Sequence, residues 1–440
     1  MTLHRFGRAA QSWRLRFVAA AISVFGVGTA AHAATEIQVW YSLNPHNQKV
    51  FEDLVDDFND DQNAVKVKLK SFKSTQDIEP ALERQVKEKN TPNLVQIEDD
   101  RDPEAMARRS YIMPLYTLLA KHPIKDADWF VAPQHLSMRD SRGRLLAFPY
   151  MIDVPVMFYN TEAFKKAGIV PAVPQRSWME LQGQLVNLAN KATRDCPATT
   201  DQSVSVNLEN LAAVNNQFFT SGDNGTKGKA APSFTFDITY VRHLSLMITW
   251  VRNELLVKPG ADALAPQRFA NNECSVLWSE SSNIGRFLDK RNLHFSITGL
   301  PYYPQVTKTP GNPFLDGTGL WATSGHSADQ DKATAQFLAW LARPDNAARW
   351  YQATGFIPLT RQAFNKTDDG YYKGLGGWKD LVAVYAKPPS ETGRGFKIAN
   401  YPQIREMFHR TLQAALDGQD PAVTALTTAS AEANRMTRSK

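Results

Sequence analysis

The sequence predicts an α/β fold in two lobes, built from mainly parallel sheets with covering helices and interleaved chain crossings. Three observations carry that expectation. Beyond residue 33 the chain runs for roughly 400 residues, more than one hydrophobic core usually organises, so two lobes are expected. Its first segments alternate between strand-like and helix-like periodicity, the order that lays down a parallel sheet with helices on its faces. Two extended apolar runs interrupted by proline, Leu145 to Tyr159 and Phe295 to Pro304, then read as passages of the chain from one lobe to the other.

In order along the chain, Ile37-Gln38-Val39-Trp40 alternates like a half-buried strand, and Phe51, Leu54, Val55 and Phe58 recur at helical spacing. Val65, Val67 and Leu69 alternate with three lysines, a helix is expected around Glu79 to Lys89, and Asn93 to Ile97 is a third short apolar run. In open sheets of this order ligands bind beyond the carboxyl ends of the strands. That singles out Tyr41-Ser42, Lys73 to Gln76 and Glu98-Asp99-Asp100, which follow the three strands. Pro149 and Pro155 bracket Asp153 and favour an extended crossing over a central strand there, with Gly168 closing the helix that follows. The remainder is helix-rich: Phe337, Leu338 and Leu341 share one face, as do Met407, Phe408, Leu412 and Leu416. The last dozen residues read as frayed and polar. Lobe 1 is expected over approximately 34–148 and 300–355, and lobe 2 over 149–299 and 356–440.

The amino terminus has the composition of a secretory signal. Arg5, Arg8, Arg14 and Arg16 precede an apolar run of 14 residues, Phe17 to Ala30, and Ala31-His32-Ala33 then offers a cleavage site. A membrane anchor is the alternative, but the run is shorter than the ~18 apolar residues that spanning requires. With no cysteine near the cleavage site to carry a lipid, the expected product is an unanchored protein of the periplasm, residues 34–440. The four arginines account for four of the six formal positive charges, leaving +2 on the exported part. So small a charge, with no basic cluster interleaved by aromatics, gives no support to nucleic-acid binding.

Cys196 and Cys274 are the two cysteines, both in the exported part, where a single disulfide is expected and two buried thiols are the alternative. No histidine stands at ligand spacing from either, so no metal site is expected, and no cofactor. Catalytic signatures are missing too. The chain has no G-x-S-x-G elbow, no H-E-x-x-H and no phosphate-binding P-loop, and Gly317-Thr318-Gly319 is a partial glycine pattern. A hydrolase using the acids of Glu98 to Asp100 would need a second acid at catalytic distance, which no spacing supplies. The expectation is a non-enzyme.

Several strings, in correct order over nearly all of the exported chain, carry a resemblance. They include Phe148-Pro149-Tyr150 leading to Tyr159-Asn160, Ala163 to Gly168, Ser177-Trp178, Asn272 to Cys274, Pro344 to Ala348, Thr354 to Pro358 and Gly395 to Arg405. In these the chain resembles the bacterial extracellular solute-binding family 1, most of all its glycerol-3-phosphate-binding branch. The resemblance implies a type II periplasmic-binding-protein fold. It also implies a role as the capture component of an ABC importer, handing sn-glycerol 3-phosphate or a glycerophosphodiester to a membrane permease and its ATPase, as a monomer. A neutral sugar or polyol is the alternative ligand. The cysteines stand where the family's pair stands. The implied ligand-contacting positions are Gln76, Asp99, Asp153, Trp178, Glu280, Gly317, Phe356 and Arg405. Trp178, Gly317 and Arg405 keep the family's residue types, and Asp99 keeps a carboxylate on a shorter stem. Gln76 and Phe356 stand where the family has tyrosines, and Asp153 and Glu280 where it has serines.

Three of these residues have two readings each. Trp178 is either a core or capping aromatic near a helix start, or an apolar platform for the C–H face of a polyol. Arg405, early in a helix where a cation gains nothing from the helix dipole, is either a fork aimed at phosphate or carboxylate or a surface ion pair. Asp153, set among apolar residues, must have a partner, which is either an internal arginine or a ligand's hydroxyls or cation.

Overall fold

A computed structural model of the chain describes residues 34–98, 101–192, 195–228, 230–258 and 264–438; the signal expected at 1–33 lies outside them. Among the described residues no helix is long and apolar enough to cross a membrane. The strands are β1 Thr35–Tyr41, β2 Val65–Ser71, β3 Leu94–Glu98, β4 Ile112–Met113, β5 Phe148–Asp153, β6 Pro155–Asn160, β7 Ala198–Thr200, β8 Val276–Glu280, β9 Phe295–Thr298 and β10 Asp316–Thr323. They form two sheets. One has the order β2-β1-β3-β10-β4, with β5 also on β10; the other has the order β7-β8-β6-β9.

The alternating start of the chain folds as its periodicity requires. Helix Pro45–Asp61 begins with Pro45, its Asn44 cap accepts the amide of Asn47, and Phe51, Leu54, Val55 and Phe58 are all buried. This helix and Ile78–Glu88 connect β1 to β2 and β2 to β3, and β1 pairs with both in parallel. In the second sheet β7 pairs with β8 in parallel, but the remaining pairings depart from the expected mainly parallel order. β10 runs antiparallel to β3, β4 and β5, and β6 antiparallel to β8 and β9. Parallel pairing follows from a helical crossover within one sheet. β6 and β10 are instead reached by direct passage from the other sheet, which leaves their polarity free.

That passage is shorter than expected. Leu145 to Tyr159 contains two strands, β5 and β6, with only Val154 between them, so the chain changes sheet at residue 154 and not at 148–149. Both prolines fit strands after all. Pro149 lies in β5, whose strand partner among the described residues is β10, and Pro155 is the first residue of β6, where a missing amide is tolerated. β6 alternates between two cores: Met157 and Tyr159 join the helical core of the second sheet, Val156 and Phe158 the core shared by both sheets. Beyond residue 355, where the second lobe was expected to resume, Phe356, Leu359 and Ala363 pack in the core of the first sheet. The expected frayed terminus is also corrected. Ala422–Met436 is a helix that buries Ala425, Leu426, Ala429 and Ala433; a face made largely of alanine leaves little apolar signal in the sequence. The expected disulfide joins Cys196 to Cys274, with Cα atoms 4.5 Å apart, at the entrances of β7 and β8.

Candidate functional site

Strand ends gather a cluster of acids. Glu98 ends β3, Glu280 ends β8 and Asp201 follows β7, while Asp153 at the end of β5 lies in register with Asp316 at the start of β10. A sixth acid, Glu209, comes from the π-helical turn Ser205–Glu209 and is fully buried. Two guanidiniums enter the cluster. Arg405, in the second turn of helix Tyr401–Leu416, reaches Glu209 Oε1 through Nε at 3.0 Å, Asp316 Oδ2 through Nη2 at 3.1 Å and Glu98 Oε1 through Nη1 at 3.7 Å. Arg101 reaches Asp316 Oδ1 at 3.0 Å and donates to the Leu315 carbonyl at 2.8 Å. The Tyr401 hydroxyl donates to Glu209 Oε1 at 2.6 Å.

The carboxylates respond differently. Asp316 is buried, which favours its proton, but Arg101 and Arg405 outweigh burial and hold its pKa below the usual range. Burial pushes Asp153 up to about 7, against a hydrogen bond from Ser282 and with added repulsion from Asp316 and Asp201. Burial, then repulsion by Asp153 and Asp316, pushes Glu280 well above its ordinary value. Asp201 is pushed up to about 6, again chiefly by burial. The oxygens match these shifts. Asp153 Oδ1, Asp201 Oδ1, Glu209 Oε2 and both carboxylate oxygens of Glu280 are buried with no hydrogen-bond partner among the described residues. Orphaned buried acceptors are costly unless something supplies donors to them. No group of three or more His, Cys, Asp or Glu among the described residues is arranged to hold a metal ion.

Beside this cluster opens a cleft of about 420 Å³, lined by Gln76, Glu98, Asp201, Gln202, Ser203 and Arg405 among others. Of the positions implied by the resemblance, Gln76, Asp153, Glu280, Gly317 and Arg405 are therefore placed in or next to one site. Gly317 has φ +94°, and a Cβ there would stand 2.3 Å from the Met151 carbonyl, so β10 can lie against β5 only with glycine. Arg405 is partly buried at the cleft wall and is not a free fork, because three protein carboxylates engage it. Trp178 does not form a platform in the cleft. It is 1% exposed, packed among Trp250, Trp278 and His243 in the core of the second sheet. Phe356 is likewise turned away, stacked on Trp350 with ring centroids 5.4 Å apart. Asp99 lies outside the described residues.

Four members of the site carried no expectation. Asp201 follows a strand of three residues, too short for periodicity to reveal. Glu209 had a signal, the lone charge inside the otherwise uncharged stretch Val204 to Val214. Asp316 adjoins the Gly317-Thr318-Gly319 string, and Arg101 follows the acidic run.

Two sheets joined by direct passages of the chain thus stand beside a polar cleft. The bacterial extracellular solute-binding protein profile matches residues 53–374, and the chain belongs to that family. The sn-glycerol-3-phosphate-binding periplasmic protein UgpB of Rhizobium meliloti (strain 1021) is 28% identical over 407 residues, covering 91% of this chain and 94% of the relative. UgpB from Mycobacterium tuberculosis, solved in complex with glycerophosphocholine, superposes with a TM-score of 0.70 at 17% identity, covering 91% of this chain and 97% of that one. Maltose-bound MalE3 of T. maritima gives 0.72 at 16% identity, covering 92% and 100%. These likenesses show the fold, that of a type II periplasmic binding protein. As a member of the family the chain is a periplasmic solute-binding component of an ABC importer, and the family's role is capture, not catalysis.

Proposed function

We propose that the cleft captures a hydroxylated solute bearing a positively charged group, a glycerophosphodiester of an amino alcohol being the best fit, and that the loaded protein reaches its permease and ATPase as a monomer. The orphaned carboxylate oxygens of Asp153, Asp201, Glu209 and Glu280 carry this reading. Hydroxyls satisfy such acceptors, and a cation offsets the burial and the mutual repulsion that raise the pKa values of Glu280 and Asp153. Plain glycerol 3-phosphate fits less well. Its dianion would enter a cleft walled by Glu98 and Asp201 with four further acids beside it, and the guanidinium best placed to receive it is held by Glu98, Glu209 and Asp316. The ligand named with the M. tuberculosis relative has the chemistry the cluster asks for. A neutral sugar is the second reading, favoured by the same acceptors because they need only donors.

The test is calorimetric titration of residues 34–440 with glycerophosphocholine, glycerol 3-phosphate and maltose. Glycerophosphocholine is expected to bind tightest, with Glu280→Gln weakening it about tenfold or more, the range for a lost charge-assisted bond. Tighter binding of glycerol 3-phosphate would overturn the reading, and binding of maltose alone would establish the second one. The bound solute should be recovered unchanged after long incubation.

A further inference from the structure

A second cavity, of about 280 Å³, shares no lining residue with the cleft. Its walls are four separate chain segments, 101–104, 136–141, 226–227 and 394–397, with Leu315 beside them. Backbone hydrogen bonds knit them together: the amide of Leu136 donates to the carbonyl of Arg394 at 2.9 Å, Lys397 to Asn224 at 2.8 Å and Ile398 to Arg101 at 3.2 Å. The cavity is thus part of the folded frame.

Its charge is lopsided. The two acids on the wall are already engaged: Glu104 by Lys397 and the Ser141 amide, Asp140 by Arg144. Lys227 pairs with Asp223, and Arg101 with Asp316. That leaves Arg139 and Arg394. Arg139 is nine-tenths buried, yet its guanidinium meets only carbonyls, Gly143 O at 2.8 Å and Val131 O at 3.3 Å. Arg394 donates through Nε to the Gln134 carbonyl at 3.3 Å. Among the described residues neither has a carboxylate within ion-pair reach. Carbonyl acceptors satisfy N–H groups without neutralising charge, so a buried guanidinium held this way still favours an anion. Burial lowers the Arg139 pKa to about 10, which agrees with a missing counter-charge. Leu136, Leu315 and Phe396 add apolar surface to the wall, beside Ser137, Ser141 and Thr226.

We propose that this cavity is a second binding site, for a small amphipathic anion whose phosphate or carboxylate meets Arg139 and Arg394 and whose apolar body lies against Leu136, Leu315 and Phe396. It is a separate cavity from the solute cleft, although Arg101 on its wall also pairs with Asp316 of the acid cluster. A ligand here would tie the four segments together, among them the chain just before the helix that carries Arg405.

The probe is phenyl phosphate, titrated calorimetrically at low salt, with benzyl alcohol as the uncharged control. Phenyl phosphate should bind with one equivalent and weaken with added salt. Arg139→Met and Arg394→Met should each weaken it about tenfold, while Arg405→Met, in the cleft, leaves it unchanged. No binding at millimolar probe would overturn the proposal. Equal binding of benzyl alcohol, or loss of binding in Arg405→Met with retention in Arg394→Met, would overturn it too. Arg394 is only partly buried, so its variant decides the matter if Arg139→Met does not fold.

Discussion

Asp153 and Glu280 stand at the ends of two strands from different sheets and share an environment that disfavours charge on both. The consequence is a stability that depends on pH. An acid whose pKa is raised by folding keeps its proton in the native state after the unfolded chain has lost its own. Between the ordinary carboxylate value of about 4 and the raised one, stability therefore falls as pH rises. For Asp153 that window closes near pH 7, for Asp201 near pH 6, and for Glu280 it extends higher. Buried His135 and His243, whose pKa values burial lowers to about 4 and about 3, act in the opposite direction, so the informative quantity is the difference between variant and wild type. Glu280→Gln should raise the thermal midpoint of the solute-free protein at pH 7.5 and leave it nearly unchanged at pH 4.5. An equal shift at both values would mean that charge is not the cause. The same substitution is expected to weaken solute binding, so the site keeps its acids at a cost in stability.

At the level of elements, the helices carry more of the molecule than their hydropathy suggests. Ala422–Met436 packs against Tyr401–Leu416 and against Ile238–Arg252, within the core of the second sheet. The Asn434 side chain both accepts from and donates to the backbone of Phe234, at 2.6 and 3.1 Å. Since Tyr401–Leu416 places Arg405, the terminal helix supports the site from behind. Leu426, 2% exposed, is its largest fully buried side chain. Leu426→Ala should cost about 2–5 kcal/mol in urea unfolding, the range for a buried leucine. A cost near zero would show the helix to be dispensable. Helix Pro45–Asp61 was legible because large apolar residues repeat along it. The terminal helix was not, because small residues pack closely without announcing themselves.

Across the whole molecule, the Cys196–Cys274 bridge closes a loop with a sequence separation of 78 and ties the entrances of two neighbouring strands. Cross-linking so long a loop restricts the unfolded chain, and the double Cys196→Ser, Cys274→Ser variant should lose about 2–5 kcal/mol of stability by denaturant titration. Denatured, unreduced wild-type protein should show no free thiol. The pair was readable in the sequence, since two cysteines admit one pairing. So was the alternation of β1 to β3 with their helices, because local periodicity determines it. Strand polarity was not, since β6 and β10 take their direction from where the chain arrives and not from any pattern inside them. The site divides in the same way. Gln76 and the acid of Glu98 follow strands, and their place at the mouth could be read from strand order alone. Which side chains line the cleft depends on the assembled fold. Trp178 and Phe356 turned into cores, and Arg405 found carboxylates at residues 98, 209 and 316, partners that no local spacing connects. Periodicity reports which face of an element is apolar; charges that meet across hundreds of residues are paired by packing, and packing exists only in the tertiary structure.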